Sequence, residues 1–153
     1  MTDRKKQDGK VYNEWLAYAQ SKTALILFAS SLARKLSHRN LFAYSLHPGS
    51  IKSNLQTNML AKPALLEEGL RRAREAEEKE GRVYVRGAVK TLQQGCATSL
   101  VAALDPELEG SNGRYLDDGD VAGWELPGFA TGVEEQERLW ELSEELVGEK
   151  FAW

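Results

Sequence analysis

The chain is poor in the residues that build covalent or metal-centred frameworks. Its 153 residues include one cysteine, Cys96, and two histidines. A lone cysteine excludes an internal disulfide and any multi-cysteine zinc site, and it fits a reducing, cytoplasmic location. No apolar run approaches the ~20 residues that a bilayer span needs, so no membrane span is expected. The stretch Met1–Lys10 is polar and has no apolar signal core, so no secretion signal is expected either. Charge of a single sign is also lacking. Lys and Arg number 20 against 23 Asp and Glu, for a formal net charge of −3, which argues against a nucleic-acid partner. Neither an internal repeat nor a low-complexity tract occurs.

What is present is an ordinary globular composition, 42% hydrophobic and 28% charged, with the length of about one domain. Residues 1–11 read as a charged leader or loop, and residues 12–153 as the domain. From Asn13 to about Leu36 the apolar residues Leu16, Leu25, Phe28, Leu32 and Leu36 recur at helical spacing, with Asn13 as N-cap. Residues Leu41–Leu46 form a short, continuously apolar run. It reads as a buried parallel strand ending at the turn His47-Pro48-Gly49.

Leu65–Glu80 is a charge-rich helix with Glu67–Arg71, Glu68–Arg72 and Arg74–Glu78 spaced for pairing, stopped by Gly81. Thr91-Leu92-Gln93-Gln94 is a capping box opening a helix to about Leu104, which Asp105-Pro106 closes. Asn112-Gly113 turns into a strand over Arg114–Leu116. Thr131-Gly132-Val133-Glu134 reads as a second capping box. The helix after it presents Leu139, Leu142 and Leu146 on one face and ends at Gly148. A long helix followed by a buried strand suggests part of a β-α-β layer, but two strands are few for a parallel sheet.

The chemistry centres on Tyr18 and Lys22, four residues apart and so on one face of the first helix. A phenol carries protons poorly at neutral pH. A nearby ammonium favours its phenolate, and the pair then serves as a tuned acid/base. Taken alone, Tyr-x-x-x-Lys is common on exposed helices. Here it stands in the series Tyr18-Ala19-Gln20-Ser21-Lys22-Thr23-Ala24, an amphipathic helix, a strand, and His47-Pro48-Gly49. Further on come Thr91-Leu92-Gln93-Gln94-Gly95-Cys96-Ala97-Thr98, Leu104-Asp105-Pro106-Glu107-Leu108, Gly113-Arg114-Tyr115-Leu116 and Leu139-Trp140-Glu141-Leu142-Ser143-Glu144.

In that order, from Tyr12 to Phe151, the series resembles the carboxyl-terminal half of the short-chain dehydrogenase/reductase superfamily. The nearest branch is that of retinol dehydrogenases and WW-domain-containing oxidoreductases. The resemblance implies an α/β chain, part of a doubly wound Rossmann-like fold, helix-rich with few parallel strands. It implies hydride transfer between NAD or NADP, with NADP slightly favoured, and an alcohol or carbonyl substrate. Tyr18 would be the acid/base. Lys22 would lower the Tyr18 pKa and bind the nicotinamide ribose. The Pro48-Gly49 turn would bring backbone close to the nicotinamide. Ile51 would offer a backbone N–H to the carboxamide, and Ser53, where threonine is usual, would contact the cofactor. Residues Asn54–Glu80 would include a lid over the substrate.

Plainer readings stand beside these. Pro48-Gly49 is also a strand-ending turn. Ser53 is also a helix cap, and Trp15 a helix anchor rather than a pocket wall. His47 belongs to the turn, His38 to the surface near a helix end, and Cys96 packs as a small apolar group.

The departures are as telling as the matches. The sequence has no Gly-x-x-x-Gly-x-Gly turn to cradle a pyrophosphate and no Asn-Ala-Gly run. No serine can be placed on a strand before the tyrosine. Losing one such hydrogen-bond donor costs ~10²–10³ in rate, so the chain alone is expected to bind cofactor weakly and to be inactive. Three readings follow: a portion of an oxidoreductase, a non-catalytic interaction module on a remnant of the same fold, and a helical interaction protein. The second would use an exposed face, with self-association through the Tyr18 helix.

Overall fold

The computed structural model describes residues 12–54, 61–79, 81, 83–85 and 87–151. The expected leader over residues 1–11 lies outside them, as do residues 55–60 and 80 of the expected lid.

Helix α1 spans Glu14–Lys35, and its cap is the predicted one: Asn13, extended at φ −134°, accepts the Leu16 N–H at 3.0 Å. The buried residues of α1 differ from the expected stripe. They are Leu27, Ala29, Ser31 and Ala33, followed by Leu36, whereas Leu16, Leu25 and Phe28 stay exposed.

The predicted strand over 41–46 is shorter and displaced, with β1 formed by Ser45–His47. The cause lies in Asn112. Its Oδ1 accepts the Ala43 N–H and its Nδ2 donates to the Leu41 carbonyl, both at 2.9 Å, while Gly113 N–H donates to the Ala43 carbonyl at 3.0 Å. A side chain thus takes hydrogen bonds that a ladder would otherwise use, and pairing starts only at Ser45.

Strand β2, Ser50–Ile51, follows the Pro-Gly turn. Helix α2 spans Pro63–Lys79, and the chain turns at Gly81, φ +70°, whose N–H donates to the Glu78 carbonyl. Of the predicted pairs, Glu68–Arg72 forms at 2.6 Å, while Arg71 turns to Glu68 and Glu75. Strand β3, Val89–Lys90, leads into helix α3, Leu92–Leu104. Both reciprocal bonds of the Thr91–Gln94 capping box are made. Cys96, expected to pack, is exposed on α3.

A 3₁₀ helix, Pro106–Ser111, capped by Asp105, precedes strand β4, Tyr115–Asp117. A hairpin through Asp118 and Gly119, both at positive φ, reaches strand β5, Asp120–Val121. Such a two-residue turn favours Asp-Gly because both positions need φ above zero. Helices α4, Gly128–Thr131, and α5, Val133–Val147, complete the order.

The second expected capping box does not form. Thr131 is the last residue of α4, and α5 starts at Gly132 without a side-chain cap. Instead the Gln136 amide reaches back to the Thr131 carbonyl at 2.9 Å. Nor is the leucine face the buried one: α5 buries Gln136, Trp140 and Glu144, while Leu146 is exposed. Gly148 ends the helix in the left-handed region, as predicted.

The strands make two small sheets rather than one doubly wound sheet. In the first, β1 runs parallel to β4, with Ser45, Leu46 and His47 opposite Tyr115, Leu116 and Asp117, and β5 is antiparallel on the far side of β4. In the second, β2 runs parallel to β3, with Ser50 opposite Val89 and Ile51 opposite Lys90. The architecture is therefore helix-rich, with a few short parallel pairings linked by helical crossovers, in keeping with a partial Rossmann-like fold. The core lies under the second half of α1, where Leu27, Ala33 and Leu36 are buried, with Ala130 and Trp140 buried on the helices packed against α1, and around Leu116, which is fully buried. No described helix is long and apolar enough to cross a membrane.

Candidate active site

Tyr18 and Lys22 come together as their spacing predicts. The Lys22 ammonium stands 5.4 Å from the centre of the Tyr18 ring. Tyr18 is 57% exposed, and its carbonyl accepts the Ser21 hydroxyl at 2.7 Å. One face of the first turns of α1 therefore presents a phenol and an ammonium to solvent.

Helix α1 runs against β4 in the opposite direction. Near its carboxyl end, Ser30 Oγ donates to the Gly113 carbonyl at 3.1 Å, just before β4 begins. Near its amino end, Tyr18 is close enough to Tyr115 to act on it electrostatically. Burial, then the charge of Asp117, then Tyr18 raise the Tyr115 phenol above its usual range. Tyr115 in turn packs on Trp124, ring centres 5.6 Å apart. Tyr18 thus lies near the first residue of β4.

The Pro48-Gly49 turn leaves β1 at its carboxyl end, roughly 10 Å beyond Ser45, the partner of Tyr115, at ~3.3 Å per residue. His47 belongs to this turn: its Nδ1 accepts the Gly49 N–H at 3.2 Å and lies 3.8 Å from Asp117. Gly49 sits at φ +85°, and a Cβ there would fall 2.7 Å from the stem of Lys90. The close approach that this glycine permits is taken by Lys90, whose ammonium pairs with Asp118 at the β4–β5 turn. That pairing holds the Asp118 carboxyl below its usual range.

Ile51 lies in β2 and points its side chain at Gly95 on α3, where a Cβ would come within 2.2 Å. Its packing is fixed by a glycine that only the fold makes necessary. Ser53 is exposed just beyond β2, beside residues 55–60. No pairing of Ser53 with Tyr18 or Lys22 is made.

Two further groups gather around the pair. Trp15, one turn before Tyr18, sets its ring edge-on to the phenol with centres 6.5 Å apart. Its indole N–H donates to the Leu65 carbonyl of α2 at 2.7 Å. Trp15 is therefore an anchor between helices as well as a wall beside Tyr18. Lys90 and Asp118 meet beside the Pro48-Gly49 turn, and Tyr115 and Trp124 pack at the start of β4; long-range pairing makes both contacts.

A nicotinamide cofactor fits this surface in part. Lys22 is exposed and cationic beside Tyr18, and the Pro48-Gly49 turn follows the carboxyl end of β1. The described residues contain no glycine-rich turn between a strand and a helix N-terminus, so they offer no pyrophosphate cradle of that kind.

Comparison with known proteins accounts for both the match and the gap. The chain is 33% identical over 141 residues to human retinol dehydrogenase 14, covering 90% of this chain and 37% of that protein. It is 34% identical over 139 residues to a probable oxidoreductase of Streptomyces lividans, covering 85% of this chain and 44% of the other. A short-chain dehydrogenase/reductase of Penicillium rubens is 33% identical over 141 residues, 86% of this chain and 38% of its own length. No family model and no solved structure matches the chain. The chain thus spans about two fifths of the length of these relatives. By homology over nine tenths of its length it belongs with the short-chain dehydrogenases/reductases, and it corresponds to the carboxyl-terminal part of its retinol dehydrogenase relatives.

Proposed function

We propose that this chain carries the acid/base half of an NAD(P)-dependent alcohol or carbonyl oxidoreductase. The observation that carries the reading is the Lys22 ammonium 5.4 Å from the Tyr18 ring on an exposed helix face, in a chain homologous to oxidoreductases. The bound cofactor supplies or accepts the hydride. The protein's own part is the proton. In the oxidising direction the Tyr18 phenolate takes the proton of the alcohol hydroxyl as the carbonyl forms. In the reducing direction the Tyr18 hydroxyl donates that proton to the oxygen. The Lys22 ammonium stabilises the phenolate that appears between these states and offers donors to ribose hydroxyls. Pro48, Gly49, Ile51 and Ser53 line the nicotinamide side, and the relatives' names point to a lipophilic alcohol or its carbonyl.

In this reading the chain alone is inactive, because the pyrophosphate cradle and the serine belong to the part of the relatives that precedes the match. A chimera tests it, with this chain placed behind that part of human retinol dehydrogenase 14. The chimera is expected to transfer hydride, and Tyr18→Phe to lower kcat by about 10²–10⁴ with folding unchanged. A chimera that folds and turns over equally well with Tyr18→Phe refutes the assignment.

One observation favours a second reading, a non-catalytic module. Leu16, Leu25 and Phe28 are exposed on α1, and Leu92, Leu100 and Leu104 on α3. Exposed apolar side chains of this kind suit an interface, including self-association through α1. A chain that forms a tight dimer, and whose chimera never turns over, supports this reading instead.

A further inference from the structure

We propose that Trp15 is the positioning residue for Tyr18, and that it places the phenol according to the seat of helix α2. The proposal builds on the reading above only in treating Tyr18 as the acid/base.

Three contacts carry it. The Trp15 indole N–H donates to the Leu65 carbonyl in the first turn of α2 at 2.7 Å. The benzene side of the same indole lies in a notch made by Gly69, one turn further along α2. A Cβ at Gly69 would stand 2.3 Å from Cζ2 and 2.5 Å from Cε2 of Trp15. The indole then meets the Tyr18 ring edge-on, at 83° between planes. One side chain is thereby held at both ends by α2 and sets a flat wall against the phenol.

The geometry matters because Tyr18 has little else to fix it. On a helix a long side chain chooses mainly between two staggered χ1 states, and a residue 57% exposed has solvent on most sides. The contacts that bias the choice are the Trp15 ring on one side and the Lys22 ammonium on the other. The Lys22 contact comes from α1 itself. The Trp15 contact is the one that transmits the position of α2. Helix α2 has no buried residue of its own, so it is the least anchored of the long helices. A molecule that binds against α2 and shifts it would therefore shift Trp15, and with it the orientation of the acid/base. Gly69 is the sequence trace of this contact. Glycine weakens a helix interior by comparison with alanine, and here it makes room for the indole.

The test uses the chain itself, with nitrogen-15 indoles and carbon-13 at the Tyr ζ position, observed by NMR. Trp15→Phe and Tyr18→Phe assign the signals. In the wild type the Trp15 indole N–H should exchange with water about fivefold more slowly than a free indole, the effect of one net hydrogen bond. Gly69→Ala, which fills the notch without weakening the helix, should abolish that slowing and move the Tyr18 ζ resonance. The Trp140 indole, far from the contact, should keep its position and so report that the fold is intact. Trp15→Phe, which keeps a ring but loses the donor, should move the Tyr18 resonance less than Trp15→Ala.

The proposal is overturned by a wild-type Trp15 indole exchanging at the free rate. It is also overturned if Gly69→Ala leaves the indole slowed, or releases it with Tyr18 unmoved. Trp15→Phe and Trp15→Ala shifting Tyr18 equally would count against it as well. None of these signals needs cofactor or turnover, so a failure of the oxidoreductase reading shows only in the chimera.

Discussion

The two halves of α1 are built differently. From Leu27 onward the helix is held on several sides. Leu27, Ala29, Ser31, Ala33 and Leu36 are buried, Phe28 stacks on Trp140 at 5.9 Å, and Arg34 and Lys35 both bind Glu137 of α5. Before Leu27 no residue of the helix is fully buried. Leu16, Tyr18 and Leu25 are exposed, and Trp15 ties this half to α2. One half secures the helix and the other displays Tyr18 and Lys22. Under the proposed function that face must be open to substrate and cofactor, and the helix is held at its other end.

The strongest way to break this contrast is to remove the clamp. Trp140 stacks on Phe28, lies 5.1 Å from the Lys35 ammonium and donates its indole N–H to Glu144 at 3.0 Å. Trp140→Ala should cost about 3–5 kcal/mol, read as a lower midpoint in urea unfolding. A loss below about 1 kcal/mol would place the clamp elsewhere.

Acid should weaken the same half next. The Lys150 ammonium, the Phe151 N–H and the Trp140 indole hold the Glu144 carboxyl below its usual range. Lys35 and Arg34 do the same for Glu137. A carboxyl whose folded-state pKa is depressed adds stability above its unfolded value, near pH 4.3, and loses it as pH falls through the folded value. Thermal stability should thus drop below about pH 5. Glu137→Gln with Glu144→Gln should flatten that drop, which circular dichroism melts at several pH values would show.

The smallest effect belongs to the half before Leu27. Leu25→Glu lies on exposed surface and should change stability by less than about 0.5 kcal/mol. The same substitution should reduce any self-association seen by analytical ultracentrifugation. A large destabilisation would mean that this face is covered in solution.

Much of the skeleton was legible in the sequence because its signals are local. Asn13 caps α1, Thr91 and Gln94 close a reciprocal box, and Gly148 ends α5 in the left-handed region. Each depends on residues no more than about four positions away. The Tyr18–Lys22 pairing was legible for the same reason, since one helical turn brings the two together. The misreadings share an opposite cause. The 41–46 run looked like a strand because its apolarity is continuous, but Asn112, about 70 positions on, takes its hydrogen bonds. The Thr131 box had the right letters, but that residue closes one helix rather than opening the next. The leucines of α5 formed the more obvious stripe, yet Trp140 and Glu144 are buried because they meet α1 and the carboxyl-terminal tail.

By itself, then, the sequence determined the caps that open α1 and α3, the glycine that ends α5, and that a phenol and an ammonium share one face. Those outcomes are governed by backbone caps and by the pitch of a helix. Only the tertiary structure decided which faces are buried, that β1 lies beside β4, that Lys90 closes over Gly49, and that Trp15 ties α2 to Tyr18. These contacts join residues tens of positions apart. No local propensity specifies such a contact, because its free energy exists only once both partners are already in place.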